Sequence, residues 1–309
     1  MSGTASPEGR RAIRYLSLVS FTTAAATAAA YVFTVGTPLG QLVGELILGG
    51  RALGLERVLN AEDMLATFSR SALLIGTVCV VAIAILQRRT RLAIAALLVV
   101  IGANLTTQLL KVVLLDRTDL LDGLFYPLPN SFPSGHATEV ASVAVGLLLV
   151  VPPLLRAPVL IVSAAVVALV GVSTLVTGWH RMADAVGGTF VATSWGAGVA
   201  AIVASRWGVE IVGPRTAEIA GWGARIPAVL GGVLVVLGAL AYLVVALDPL
   251  DVLRYLAERG GSPAIFGVGV VITAGAALLA LGALGIGLRD IRLDPRRPER
   301  MESTASVPD

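Results

Sequence analysis

Three residues suited to phosphate chemistry stand close together in a chain that uses them sparingly. The single lysine, Lys111, and the only two histidines, His136 and His180, fall within about 70 residues of one another in a chain of 309 residues, and 22 of the 23 basic residues are arginine. An ammonium group can hold an anion, and an imidazole can attack phosphorus or transfer a proton near neutral pH. These residue types are suited to holding and attacking a phosphate.

His180 is followed four residues later by Asp184. On one helical face or across a helix start, this spacing brings the carboxylate to the second imidazole nitrogen and fixes the tautomer. The other nitrogen is then a competent nucleophile or base. The alternative interpretation is a structural His–Asp pair at a membrane interface.

Pro133, Ser134, Gly135 and His136 stand directly before a long apolar run. Proline and serine favour a helix start, glycine allows close backbone approach, and the free N–H groups of a first helical turn bind anions. The sequence predicts an anion site at Ser134 and Gly135 with His136 at its mouth. A plain capping turn is the alternative.

Lys111 and Arg117 emerge together at the end of another apolar run. Taken alone, they are typical of two cations that anchor a helix end at the membrane surface. Their position together with both histidines on one face of the membrane, argued below, favours a phosphate-binding role instead.

The composition indicates an integral membrane protein. Hydrophobic residues make up 56% of the chain and charged residues 14%, and the mean hydropathy is +0.86, values far outside the range of soluble domains. The single Cys79 excludes a disulfide framework and a cysteine-based zinc site. The small net charge of +3 lies at the ends of apolar segments, so we expect a bilayer and no nucleic acid as partner.

Eight apolar runs have about the 20 residues needed to cross the hydrocarbon layer. They predict an all-α, polytopic membrane helical bundle with spans at roughly 14–35, 70–87, 92–115, 135–155, 157–178, 183–204, 226–247 and 264–287. The first run resembles a signal peptide in its Ala-rich stretch, but its apolar character continues past that stretch, so we expect it to remain as a span.

The arginines predict the orientation of the bundle. If the spans alternate, the arginine-rich connections fall on one side, which is then cytoplasmic and holds both termini. Lys111, His136 and His180 then lie on the outer face. Two outer segments, 37–64 and 251–259, have helical apolar spacing typical of helices along the membrane interface, with plain connecting loops as the alternative.

The three blocks together resemble the signature motifs of the type 2 phosphatidic acid phosphatase superfamily, the membrane lipid phosphate phosphatases. Pro133 to His136 matches the second motif fully, Ser173, His180 and Asp184 match the spacing of the third, and Lys111 with Arg117 matches the first. The resemblance covers roughly residues 65–205. It implies a six-helix phosphatase core at 14–205, after a cytoplasmic tail at 1–13. Beyond this core we expect a cytoplasmic loop with two extra spans at 206–288 and a disordered cytoplasmic tail at 289–309.

The resemblance implies phosphoryl transfer without metal or cofactor. His180 attacks phosphorus and carries a transient phosphohistidine, Asp184 orients and stabilises its imidazolium, and His136 protonates the leaving group. The phosphate oxygens are neutralised by Lys111, Arg117 and the backbone around Ser134 and Gly135.

Two positions depart from the family pattern. Thr118 replaces a proline after Arg117, which is a minor change in loop stiffness. Thr174 replaces an arginine of the third motif, and a threonine cannot reproduce a bidentate phosphate clamp. We hypothesise that Arg181, directly after His180, supplies the missing charge; an ordinary interfacial arginine is the alternative.

The sequence therefore predicts a phosphatase that acts on a membrane lipid phosphate. Polyprenyl pyrophosphate, phosphatidylglycerophosphate and phosphatidic acid all fit a site that opens at helix ends. The alternatives are a phosphotransferase that passes the phosphoryl group to a second lipid or glycan, and a non-catalytic lipid-binding or transport protein. The amino-acid usage is typical of a GC-rich bacterial genome, so we expect a bacterial plasma membrane, with protein partners left open.

Overall fold

The computed structural model describes residues 6–51, 55–67, 70–123 and 130–293. These residues form the helical bundle that the apolar runs predict, together with one two-stranded ladder that they do not predict. The helices are α1 (Pro7–Ala30), α2 (Pro38–Gly49), α3 (Leu55–Thr67), α4 (Arg70–Leu86), α5 (Thr90–Leu109), α6 (Gly135–Val150), α7 (Arg156–Val176), α8 (Met182–Trp207), α9 (Pro214–Ala246), α10 (Leu250–Glu258) and α11 (Pro263–Leu288). Single π-helical turns at Tyr31–Val35 and Leu110–Leu114 extend α1 and α5.

Three helices begin with a proline that follows a hydroxyl residue. Proline fits the first helical position because the N–H it lacks would have no partner there, and the hydroxyl caps one of the remaining N–H groups. The pairs are Ser6–Pro7, Thr37–Pro38 and Ser262–Pro263, and each hydroxyl accepts a hydrogen bond from a first-turn N–H.

Six helices are long and apolar enough to cross a membrane, and with their flanking turns they are Pro7–Val35, Thr90–Leu114, Pro153–Val176, Met182–Trp207, Pro214–Ala246 and Pro263–Leu288. Two further apolar helices, Leu73–Leu86 and Gly135–Val150, are shorter. All eight predicted runs lie on helices of the bundle. The membrane character is confirmed by the six long helices, and a total of eight spans remains a prediction.

Helix α8 lies at the centre of the bundle and α9 at its edge. In their most apolar windows, 67% of α8 but only 11% of α9 is buried within the protein. Along α8, small residues such as Gly188 and Gly196 permit this central position, since a Cβ atom on Gly196 would lie 2.0 Å from Val145 Cγ1 of α6. Close backbone approach through small residues is the ordinary way in which helices pack in lipid.

The two C-terminal helices predicted as extra spans pack against the core. Helix α11 contributes Ala277 and Leu281 to a buried cluster shared with α5, α6, α7 and α8. Helix α9 lies close along α11, because a Cβ atom on Gly282 would meet Ala228 N at 2.5 Å. The C-terminal helices are therefore part of the same packed structure as the segment that carries the three motifs.

The described part of the predicted interfacial segment at 37–64 forms α2 and the start of α3, and most of the apolar face of α2 does not lie on the surface. Leu42, Val43, Leu46 and Ile47 of α2 are each at most 1% exposed. They contact α8, α10 and α11. Packing against these helices removes more apolar surface from water than a position at the membrane interface would. The predicted segment at 251–259 is helix α10, whose Leu253 packs against α2.

Two boundaries expected on the cytoplasmic side differ in the structure. Residues 206–225 were expected to form a loop, but Val209–Ile211 forms strand β1 and α9 already begins at Pro214. Residues 289–293 of the predicted disordered tail are ordered, because Ile291–Leu293 forms strand β2 antiparallel to β1. The rest of the tail, 294–309, lies outside the described residues.

Buried arginines explain why the start of this tail is ordered. Arg89 Nη1 donates to Leu293 O at 2.8 Å, and Arg156 Nη1 donates to the carbonyls of Leu288 and Ile291. These bonds satisfy carbonyls at and beyond the end of α11 that have no partner within the helix. The prediction failed here because the partners are far apart in sequence.

Candidate active site

Lys111 lies where α5 ends in a π-helical turn, Leu110–Leu114. Such turns are rare and are frequent at functional sites. The side-chain amide of Asn130 donates to Lys111 O at 3.2 Å and to Leu115 O at 3.0 Å. These bonds join the end of the first motif to the beginning of the second.

Ser134 is the N-cap of α6, as the sequence predicts. Its Oγ accepts a hydrogen bond from Ala137 N at 3.4 Å, and its own N–H donates to Asp184 O at 2.8 Å. Ser134 is fully buried. The hydroxyl and the N–H of Ser134 therefore both have partners within the protein. The first-turn N–H groups of α6 that have no intrahelical partner are those of Gly135 and His136.

His180 lies in the short connection between α7 and α8. The chain turns at Gly178, whose φ of +76° favours glycine. The His180 N–H then donates to Thr174 O at 3.1 Å. The Thr174 hydroxyl donates to Gly171 O at 2.7 Å within its own helix, so Thr174 supports the His180 backbone and its side chain is occupied elsewhere.

Asp184 is held by a capping box at the start of α8. Arg181 N donates to Asp184 Oδ2 at 3.0 Å, and Asp184 N donates to Arg181 O at 3.1 Å. Ser131 Oγ donates to the same carboxylate oxygen at 2.5 Å. The carboxylate, only 1% exposed, is therefore fixed by its own helix and by the second motif.

The His180–Asp184 pair predicted from the spacing is present, at long range. His180 Nδ1 lies 3.5 Å from Asp184 Oδ2, beyond the usual length of a hydrogen bond. Nδ1 is buried and has no closer partner among the described residues. Catalytic hydrogen bonds are often long before substrate binds. The geometry leaves Nε2 of His180 as the nitrogen that faces away from the carboxylate.

The two histidines lie together although 43 residues separate them in the sequence. Their ring centroids are 6.1 Å apart, and the ring of Trp179 lies 5.5 Å from that of His136. The charge of Lys111 acts on His136, and the charges of Asp184 and Glu139 act on Lys111. The structure thus brings Lys111, His136, His180 and Asp184 into one cluster.

Arg117 and Arg181 form a separate group around Glu45 of α2. Arg117 Nη2 donates to Glu45 Oε1 at 3.0 Å, and Arg181 Nε donates to the same oxygen at 2.7 Å. Burial lowers the pKa of Arg117, and the charge of Arg181 lowers it further, while Glu45, Asp184 and Asp119 oppose this shift. A small cavity is lined by both arginines and Asp184 but by neither histidine.

Sequence reasoning missed Glu45 as a site residue. The only signal in the sequence was that Glu45 is an acidic residue in a largely apolar segment, four positions after Gln41. It also missed Ser131 and Asn130, whose polar side chains directly precede the second motif. Ser131 bonds to Asp184, and Asn130 bonds to Lys111 and Leu115 as well as to the neighbouring Phe132, so no local pattern could have identified their distant partners.

Among the described residues, no group of three or more histidine, cysteine, aspartate or glutamate side chains lies close enough to hold a metal ion.

Comparison with known proteins gives one match. Residues 92–207, which include most of α5, all of α6, α7 and α8, and all three motifs, match the family model described as the PAP2 superfamily. No curated protein and no solved structure matches the chain. The match confirms the resemblance found in the three motifs.

Proposed function

Because residues 92–207 place the chain in the PAP2 superfamily, the type 2 phosphatidic acid phosphatases, we propose that it is a metal-independent phosphatase of a membrane lipid phosphate. The observation that carries this proposal is the cluster inside the matched segment. His180 faces Asp184 at Nδ1, and the His136 ring lies 6.1 Å from the His180 ring, on helix α6. The Asp184 carboxylate orients the imidazole of His180, which can act as the nucleophile. The imidazole of His136 beside it can act as the proton donor.

The first chemical step is attack by His180 Nε2 on phosphorus. The nitrogen lone pair forms the N–P bond while the bond from phosphorus to the lipid oxygen breaks, and His136 gives its proton to that oxygen. Asp184 stabilises the imidazolium that results. In the second step His136 takes a proton from water, the oxygen of that water attacks phosphorus, and the N–P bond breaks to release inorganic phosphate and neutral His180.

Charge on the phosphate oxygens is neutralised by groups around the histidines. Lys111 and the N–H groups of Gly135 and His136 are the candidates, since the charge of Lys111 acts on His136 and the two N–H groups begin the helix that carries His136. Arg117 and Arg181 add positive charge from the side of Asp184. Phosphoryl transfer depends mainly on such positioning and electrostatic stabilisation.

The substrate is an amphiphile whose chains stay in the bilayer while its phosphate reaches the site. Polyprenyl pyrophosphate, phosphatidylglycerophosphate and phosphatidic acid remain the candidates. The arginine pattern supports a site on the outer face of a bacterial plasma membrane, with the termini inside.

Release of phosphate from a panel of these lipids tests the proposal. We expect release by the wild-type protein in detergent without added metal, and none by His180→Ala. An acid-labile, base-stable phosphoenzyme should form with the wild type and be absent from the variant. If neither protein releases phosphate from any lipid, the hydrolase assignment fails; transfer of phosphate to an added acceptor lipid would instead favour a phosphotransferase.

A further inference from the structure

Glu45 already occupies the anion-binding side of the arginine pair. Its Oε1 accepts hydrogen bonds from Arg117 Nη2 at 3.0 Å and from Arg181 Nε at 2.7 Å, and Arg181 Nη2 donates to the same oxygen. The side chains are 8% exposed for each arginine and 12% for the glutamate. Any anion that approaches these guanidinium groups meets a largely enclosed carboxylate that holds their N–H groups.

The charges of this group decide which anions can compete. Two guanidinium groups and one carboxylate leave a single net positive charge. A phosphodiester head group carries one negative charge, like the carboxylate, whereas a terminal phosphate carries about 1.5 to 2 near neutral pH. A terminal phosphate also offers more acceptor oxygens for bidentate contact with arginine.

On the basis of the proposed function, we propose that Glu45 is an internal competitor, which holds Arg117 and Arg181 in the substrate-free site and yields them to the terminal phosphate of a lipid phosphomonoester or diphosphate. A phosphodiester that displaces Glu45 exchanges one anion for another of equal charge. A terminal phosphate adds charge and contacts. Displacement of Glu45 weakens the binding of every anion, and the added charge and contacts of a terminal phosphate offset this cost.

The exchange requires only side-chain movement, because the backbone around Arg117 is fixed independently. Gln41, one turn before Glu45 on α2, donates through Nε2 to Val35 O and to Thr118 O, each at 2.8 Å. Leu120 N donates to Gln41 Oε1 at 3.3 Å. The loop that carries Arg117 therefore keeps its place when the guanidinium leaves Glu45.

Helix α2 is itself anchored, so the carboxylate is presented from a fixed position. Leu42 and Leu46 are at most 1% exposed and pack against Leu121 of the loop and Leu253 of α10. The C-terminal part of the chain thus contributes to the site through α2.

The Glu45→Gln protein tests the proposal, because glutamine keeps a hydrogen-bond acceptor and removes the charge. Turnover of phosphatidic acid is measured in neutral-detergent micelles with increasing amounts of phosphatidylglycerol, a monoanionic phosphodiester. We expect KM for phosphatidic acid to fall and the inhibition constant of phosphatidylglycerol to fall by about tenfold, the factor typical of a hydrogen bond to a charged group. An unchanged or raised KM together with unchanged inhibition overturns the proposal.

Glu210→Gln is the matched control. Glu210 is 54% exposed and lies 3.9 Å from Arg292 in the β ladder, so its substitution should leave KM and inhibition unchanged. If a thermal unfolding assay shows that Glu45→Gln does not fold, Glu45→Asp tests the proposal instead. Aspartate retains the charge, but its shorter side chain holds the carboxylate farther from the two arginines. Its inhibition by phosphatidylglycerol must be stronger than that of the wild type, and equal or weaker inhibition overturns the proposal.

A failure of the proposed function would be visible separately. If the wild type releases no phosphate from any lipid, both proteins are titrated calorimetrically with inorganic phosphate. Tighter binding by Glu45→Gln supports the role of Glu45 as a competitor, and equal or weaker binding overturns it.

Discussion

Asp184 connects most of the residues that the proposed chemistry uses. Its Oδ2 atom accepts hydrogen bonds from Ser131 Oγ and Arg181 N and lies 3.5 Å from His180 Nδ1. A buried carboxylate fixed in this way can hold one imidazole tautomer and stabilise the imidazolium that forms during attack. Its hydrogen bonds also keep it from rotating away from His180.

Asp184→Asn should lower kcat for phosphate release by about a thousandfold or more, because an amide cannot stabilise the imidazolium and can select the wrong tautomer. The measurement is steady-state phosphate release, with the folded state checked by thermal unfolding. Ser131→Ala removes one contact of the carboxylate but leaves its charge, so it should cost far less. Equal losses in both variants would assign Asp184 a structural role.

Lys111→Met should abolish phosphate release, because the lysine is the cation of the cluster that contains both histidines. Methionine keeps the unbranched shape and removes the charge. The measurement is kcat/KM on the best lipid of the panel. Substantial residual turnover would return Lys111 to the role of a membrane anchor.

Thr174→Ala should keep kcat/KM within about threefold, since only a hydrogen bond of about 1 kcal/mol within α7 is lost. The family pattern has a phosphate-binding arginine at this position, but the Thr174 side chain is buried and bonded to Gly171 O. Its backbone contact with His180 survives the substitution. A loss of a hundredfold would show that the hydroxyl contacts substrate.

At the scale of elements, three helix ends and one accessory helix build the site. The π-helical end of α5 supplies Lys111, the first turn of α6 supplies His136, and the start of α8 supplies Asp184. Helix α2 closes the arginine side with Glu45. Helix ends are where backbone groups lack intrahelical partners, which is why hydrogen bonds between these ends can fix their relative positions.

Gly282→Ala should destabilise the protein by about 1–3 kcal/mol, because the new methyl group would overpack the crossing of α9 and α11. A Cβ atom there would lie 2.5 Å from Ala228 N. The matched control is Gly267→Ala in the same helix, where a Cβ atom would meet nothing within 4 Å. Thermal unfolding in detergent compares the two, and equal melting temperatures would contradict the observed packing.

At the scale of the whole molecule, the arginine pattern predicts which face holds the site. The single Cys79 can be replaced by serine to give a background without cysteine. In intact cells, a membrane-impermeant maleimide should then label Asp248→Cys, on the predicted outer side, and should label Ser205→Cys only after lysis. Both positions are exposed in the structure. The reverse labelling pattern would invert the topology and put the site inside.

Much of this protein could be read from the sequence, because the signals concerned are local. Apolar length predicted the helices, and the His180–Asp184 spacing and the Pro-Ser-Gly-His run predicted the capping turns that carry the chemistry. A match over residues 92–207 confirmed the family resemblance. Helix formation and capping depend on residues within about one turn of each other, so neighbouring residues suffice to predict them.

Only the tertiary structure decided which distant groups meet. It joined Arg117 and Arg181 through Glu45, and it paired the Ser134 N–H with Asp184 O. It also buried the face of α2 that was expected at the membrane interface. Residues 291–293 are ordered by strand β1 and by the side chains of Arg89 and Arg156. The hydrogen-bonded partners among these lie between 50 and 204 residues apart, as for Ser134 with Asp184 and Arg89 with Leu293. A buried charge or carbonyl takes whichever partner the packed helices bring near, and no local pattern specifies that partner.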